Sequence, residues 1–139
     1  MFDQLTSLLS QAASLYYDNT TSALSATNVQ AAIDEVATVS KIRNVTTVNV
    51  ATYDLLITDY ILHVTYTITG AVTSLTLPTA QTTAGRTIVI KDAGLTAGTN
   101  NITIDTEGSE KIDGANTLVI NSNGSSISLY SDGIGWFIY

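Results

Sequence analysis

The chain has 139 residues, one proline, no cysteine and only 12% charged residues, which leaves room for one domain with an N-terminal extension and removes disulfide and thiol chemistry. Twelve acidic residues against five basic ones (Lys41, Arg43, Arg86, Lys91, Lys111) give a net charge of -7, which repels phosphate backbones and anionic lipid surfaces and argues against nucleic-acid binding. No apolar run reaches the roughly 18 to 20 residues of a membrane span, and Met1-Phe2-Asp3-Gln4 lacks the basic segment of a secretory signal, so neither membrane insertion nor export by that route is expected.

From Phe2 to about Tyr17 the apolar positions Leu5, Leu8, Leu9, Ala12, Ala13 and Tyr16 follow helical spacing, with Asp3 in the first turn and Asp18-Asn19-Thr20-Thr21 as a polar stop. A second helical pattern follows Leu24, where Ser25 or Thr27 is placed to cap the free amides, and runs through Val29, Ala32, Ile33, Val36 and Val39. With Ala32 or Ile33 at the second core position these residues step by three and four, the mark of a coiled-coil seam, but they span under two heptads and so need further packing. Either the two helices form a hairpin, or each meets its own copies around an axis.

After Lys41-Ile42-Arg43 the period becomes two. Tyr60, Leu62, Val64, Tyr66 and Ile68 share one face of an expected long strand, and Ile61, His63, Thr65 and Thr67 share the other. Shorter alternating runs follow around Leu75, Ile88, Ile102, Leu118, Ile127 and Trp136, separated by turn signals at Gly70, Pro78, Gly85, Gly94, Gly108, Gly114, Gly124 and Gly133. Asn123-Gly124 and Asp132-Gly133 carry tight-hairpin chemistry, so the C-terminal stretch reads as a meander. Strands this thin and threonine-rich would bury a modest core alone; a three-fold assembly would hide both the helical stripe and the strand faces.

Chemistry-bearing residues are sparse. His63 is the single histidine, an ordinary strand residue or, in a symmetric assembly, part of a three-membered cluster on the axis. Asp34 and Glu35 are adjacent on a helix and diverge by about 100 degrees, while Glu107 and Glu110 sit in a turn-rich loop; neither pair frames a glycosidase groove. Gly94-Leu95-Thr96-Ala97-Gly98 lacks the lysine of a phosphate loop. No catalytic, cofactor or metal site is expected. For a sugar or protein surface the natural contacts are Tyr130, Asp132, Trp136 and Tyr139, with Asn121 and Asn123: aromatic faces pack on sugar rings, and Asp and Asn bond to hydroxyls. Trp136 alternates with Ile138 and also fits a core position.

Two stretches resemble phage tail-fibre proteins. Leu24-Ser25-Ala26-Thr27-Asn28-Val29-Gln30-Ala31-Ala32-Ile33-Asp34-Glu35-Val36 is similar to the recurrent segment LSATNVQAAIDEL of such fibres, with valine in place of the final leucine. More loosely, Asp59-Tyr60-Ile61-Leu62, Leu75-Thr76-Leu77-Pro78, the run Ala84-Gly85-Arg86-Thr87-Ile88-Val89-Ile90-Lys91-Asp92, Asn101-Ile102-Thr103-Ile104, Ile112-Asp113-Gly114 and Asp132-Gly133-Ile134-Gly135-Trp136 resemble a β-domain near their C-termini. The resemblance implies a mainly β homotrimeric fibre with short N-terminal helices. A helical or coiled-coil stalk over 1–43, seamed by Val29, Ala32, Ile33, Val36 and Val39, would lead to a β-sandwich or meander head over 44–139. It further implies a virion location, partners among other fibre or baseplate proteins, and attachment to a host surface glycan or protein. The alternative is a trimeric connector or decoration protein of a virion or bacterial surface fibre that binds no receptor.

Overall fold

The N-terminal helix starts after Asn28 because that side chain supplies an acceptor the first turn lacks: its Oδ1 accepts from the Ala31 N–H at 2.8 Å, and α1 runs Val29–Val39. The structure is a computed structural model that describes residues 15–22, 24–39 and 43–139, and the chain divides into two units, 1–43 and 44–139. The cap expected at Ser25 or Thr27 falls later, since the preceding backbone is engaged elsewhere. Glu35 turns its carboxylate back along the helix to accept from the N–H of Ser25 at 2.9 and 3.0 Å and of Ala26 at 2.9 Å. Beside this clasp, Tyr17 N–H donates to Thr27 at 3.2 Å and Val29 N–H to Leu15 at 3.1 Å, around an antiparallel bridge between Tyr16 and Asn28. The helix expected from Phe2 lies outside the described residues except for Leu15, Tyr16 and Tyr17, which form this bridge rather than a helical turn. Among the described residues no helix is long and apolar enough to cross a membrane.

The second unit is built from nine strands: β1 (Val45–Val48), β2 (Thr52–Asp54), β3 (Ile61–Val64), β4 (Thr73–Leu77), β5 (Thr87–Asp92), β6 (Ile102–Thr106), β7 (Thr117–Ile120), β8 (Ser126–Ser131) and β9 (Trp136–Ile138). They form two mixed sheets, ordered β1-β3-β5-β8-β9 and β2-β4-β6-β7. The chain changes sheet after each of its first five strands. Every return therefore re-enters a sheet in the same direction, and β1, β3 and β5 pair parallel, as do β2, β4 and β6. After β6 the pattern breaks: β7 folds back antiparallel on β6, the chain crosses to pair β8 antiparallel with β5, and β9 closes a hairpin on β8.

The alternating residues settle which face is buried. Leu62, Val64, Ile88, Ile90 and Leu129 of the first sheet join Leu75, Leu77, Ile102, Ile104 and Ile120 of the second in one cluster, completed by Leu55, Ala97, Ile112 and Trp136. The inner rows thus close over each other within one chain. Among the described residues, apolar side chains stay open on the outer face of the first sheet and, in the other unit, on the helical stripe.

Two expectations change. The strand expected from Tyr60 to Ile68 ends at Val64, because its neighbours end there too: Val64 is in register with Val48 on one side and Asp92 on the other. The Asn123-Gly124 turn does not make a hairpin, since the strands it joins lie in opposite sheets. Turn chemistry fixes a local reversal; partners are chosen by the open edges of β5 and β6. Asp132-Gly133 does turn the β8–β9 hairpin, with Gly133 at φ 97°.

Two buried carboxylates tie the loops to this core. Asp59 accepts from Thr46 Oγ1 at 2.5 Å, Tyr53 Oη at 2.9 Å and the Leu56 N–H at 2.8 Å. Burial first, then the bond to Asp59 and its charge, push the Tyr53 phenol up to about 12. Asp92 accepts from the N–H of Thr96 at 3.3 Å, Ala97 at 2.9 Å and Gly124 at 2.9 Å. Burial alone would raise its pKa; the backbone donors Ala97, Gly124, Thr96 and Leu95 outweigh that and hold it below the usual carboxylate value.

Asp92→Ala strands these donors and is expected to cost about 1–3 kcal/mol in a urea melt at pH 7. Because the folded-state pKa is depressed, the stabilisation is complete above the unfolded value near 3.9 and is lost as pH falls through the folded one. The gap between wild type and Asp92→Ala should therefore shrink on acidification; a gap that widens would contradict this account.

Candidate functional site

Sequence alone offers no catalytic constellation, so a site has to be built from surface shape and side-chain type. The C-terminal hairpin supplies both. Asp132 shapes its tip: Oδ1 accepts from the N–H of Ile134 at 2.8 Å and of Gly135 at 2.9 Å. Those bonds, Gly135's first, hold its carboxyl below the ordinary aspartate value.

The free edge of β9 is covered by the β6–β7 connection. Trp136 N–H donates to the Lys111 carbonyl at 2.8 Å and Asp113 N–H to the Trp136 carbonyl at 2.9 Å, with Asp113 at φ 48° and Gly114 at φ 80° turning the loop back. Gly135 permits this approach, since a Cβ there would lie 3.1 Å from the Lys111 carbonyl oxygen.

Between hairpin and loop lies a hollow of about 340 Å³ walled by Glu110, Lys111, Asp132, Ile134, Trp136 and Phe137, together with Ser109, Gly114 and Gly135. Glu110 is held below its ordinary pKa, by its own backbone N–H first and by the Thr79 hydroxyl next. Lys111 donates to Asn116 Oδ1. Trp136 is fully buried, its indole N–H donating to Thr82 Oγ1 at 3.3 Å, while Ile134 at the tip is 82% exposed.

Next to the hollow is an aromatic cluster on the outer face of the first sheet. Cross-strand neighbours Tyr130 and Phe137 stack with centroids 5.4 Å apart and an interplanar angle of 26°, and Tyr139 meets Tyr130 edge-on at 5.8 Å and 73°. Tyr139 is 68% exposed. Phe137 belongs to both features. The cluster is amphipathic: ring faces for an apolar surface, hydroxyls for hydrogen bonds.

Of the contacts expected from sequence, Asp132 and Trp136 wall the hollow and Tyr130 and Tyr139 form the cluster. Asn121 and Asn123 stand apart on the β7–β8 connection, exposed, and Asn123 Oδ1 accepts from the Gly98 N–H at 2.7 Å. Lys111, Ile134 and Phe137 were not among the expected contacts, and Glu110 was weighed only as an acid paired with Glu107. Phe137 could have been found from the alternation Trp136, Phe137, Ile138, which sends it to the face opposite Trp136; nothing local links Lys111 to β9.

A second, apolar hollow of about 480 Å³ lies in the N-terminal unit, lined by Tyr17, Leu24, Val29, Ala32, Ile33, Val36 and Ala37. Ile33 and Val36 are 56% and 52% exposed. Four of the five seam residues expected from sequence line it, and the side chain of the fifth, Val39, lies outside the described part.

No protein-family model matches the chain, and no curated protein matches it.

Asp132→Ala removes the acceptor for two tip amides. Hydrogen exchange at pH 7 should accelerate at Ile134 and Gly135 while the core strands β4 and β6 keep their protection. Equal exchange at the tip in both proteins would show that Asp132 does not hold the turn.

Proposed function

We propose that this chain is a virion fibre-tip protein that assembles as a homotrimer and attaches the particle to a host cell surface receptor, a glycan by the chemistry of its hairpin, without catalysing a reaction. The observation that carries the proposal is the aliphatic stripe of Val29, Ile33 and Val36, which lines the hollow beside α1 and in which, among the described residues, Ile33 and Val36 are more than half exposed. A stripe of that kind on a short helix is stable when other helices cover it. The segment that bears it is also the one that resembles phage fibres.

The attachment half is supported by the β8–β9 end of the head. Exposed aromatic faces at Tyr130 and Tyr139 suit the apolar side of a sugar ring, and the hollow beside them offers Asp132 and Lys111 to hydroxyls. The non-catalytic reading is supported by the lining of the hollow: of its two carboxylates, Asp132 is already committed to the tip amides of Ile134 and Gly135, whereas glycoside cleavage needs two carboxyl groups free to act.

In this reading the partners are further copies of the chain, other fibre or baseplate proteins, and a surface glycan or protein, with neither nucleic acid nor an inserted membrane segment. Light scattering of the full chain should give three times its 14.7 kDa mass, and Ile33→Asp with Val36→Asp should lower it. The wild-type protein should be retained on host cells, with Tyr139→Ala reducing retention about tenfold, the loss of roughly 1.4 kcal/mol of contact energy. A monomer at micromolar concentration overturns the proposal. A trimer that ignores cells and glycans but co-purifies with a fibre or baseplate protein would make it a connector instead.

A further inference from the structure

The outer faces of the two sheets differ in kind. On the second sheet the outward residues of β2, β4, β6 and β7 are Thr52, Asp54, Ser74, Thr76, Thr103, Asp105, Thr117 and Val119, polar but for one and bearing two carboxylates. On the first sheet Val45, Ile61 and Val89 stand in register as one aliphatic row across β1, β3 and β5, bordered by Thr47, His63, Thr87 and Lys91. Val45 is exposed and Ile61 and Val89 are half-buried.

We infer that this row is covered by a second copy of the same chain, so that the head as well as α1 contributes to self-association. The inference rests on the trimer proposed above and names the head surface it would use.

Charge and area both point to that occupant. The chain carries a net charge of -7, so copies approaching through most surfaces bring carboxylates together. The β1–β3–β5 face has none. Its titratable groups are His63 and Lys91, and the Lys91 ammonium already donates to the Gly124 carbonyl. Like-charged copies therefore meet at lower electrostatic cost here than on the second sheet, which presents Asp54 and Asp105.

Three strands about 4.8 Å apart and four residues long present on the order of 200 Å², against the roughly 800 Å² per partner of a stable complex. An untethered host protein would be held too weakly by such a patch. A copy already joined through α1 is held at high effective concentration, which makes a small second contact sufficient. The aromatic cluster lies at the other end of the sheet, on β8 and β9, and stays available to a receptor.

The chain has no cysteine, so single thiols report on each face without background. Val89→Cys and Thr103→Cys place one on half-buried, outward positions of the first and second sheets. At concentrations where light scattering shows assembly, the Val89→Cys thiol is expected to react with a maleimide at least tenfold more slowly than the Thr103→Cys thiol, and dilution to the monomer should abolish the difference. Equal rates in an assembled protein would overturn the inference while leaving the α1 seam intact. A protein that never assembles would overturn both.

Discussion

Ile88, Ile90, Leu62 and Leu129 on one sheet, with Leu75, Leu77, Ile102 and Ile104 on the other, form a single fully buried layer on which the two sheets of the second unit close. Burial of such side chains is worth about 1.5–3 kcal/mol each, and it is available only if each strand gives one apolar row inward and the chain alternates between sheets. That alternation gives parallel pairing through β6; it ends at β7, which folds back antiparallel on β6 and forms the edge of that sheet. The polar ties at Asp59 and Asp92 work because this layer excludes water from them. Their carboxylates replace lost hydration with backbone and hydroxyl donors.

The local half of this arrangement was legible in the residues. Leu62 and Val64 against Ile61 and His63, or Ile88 and Ile90 against Thr87 and Val89, announce strands and their buried faces by period alone. The non-local half was not. Parallel pairing of β1 with β3 depends on β2 leaving for the opposite sheet, and no short-range signal in Thr52–Asp54 records that departure. Asn123-Gly124 shows the same limit, a turn correctly placed between strands that turn out not to be partners. In the N-terminal unit the helix was legible but not its start, because Glu35 reaches across from within the helix to occupy Ser25 and Ala26.

The candidate site followed a similar division. Aromatic and acidic residues near the C-terminus drew notice as residue types, and Tyr130, Tyr139 and Asp132 do gather at the β8–β9 end. Trp136 serves the same region from below, packed against the core with its indole bonded to Thr82, so its contribution is to hold the hairpin rather than to offer a free ring. Lys111 and Glu110 enter only because the 109–115 loop lies along β9.

The hairpin tip is fastened at its backbone: the Asp132 carboxylate accepts from the amides of residues 134 and 135, the Ser131 hydroxyl from that of Gly133, and Lys111 and Asp113 pair with the main chain of Trp136. The side chain of Ile134 takes no part in any of these bonds and projects into solvent. Position 134 is thus insulated from the stability of the domain. Substitutions there change the surface the tip presents while the scaffold beneath it keeps its bonds.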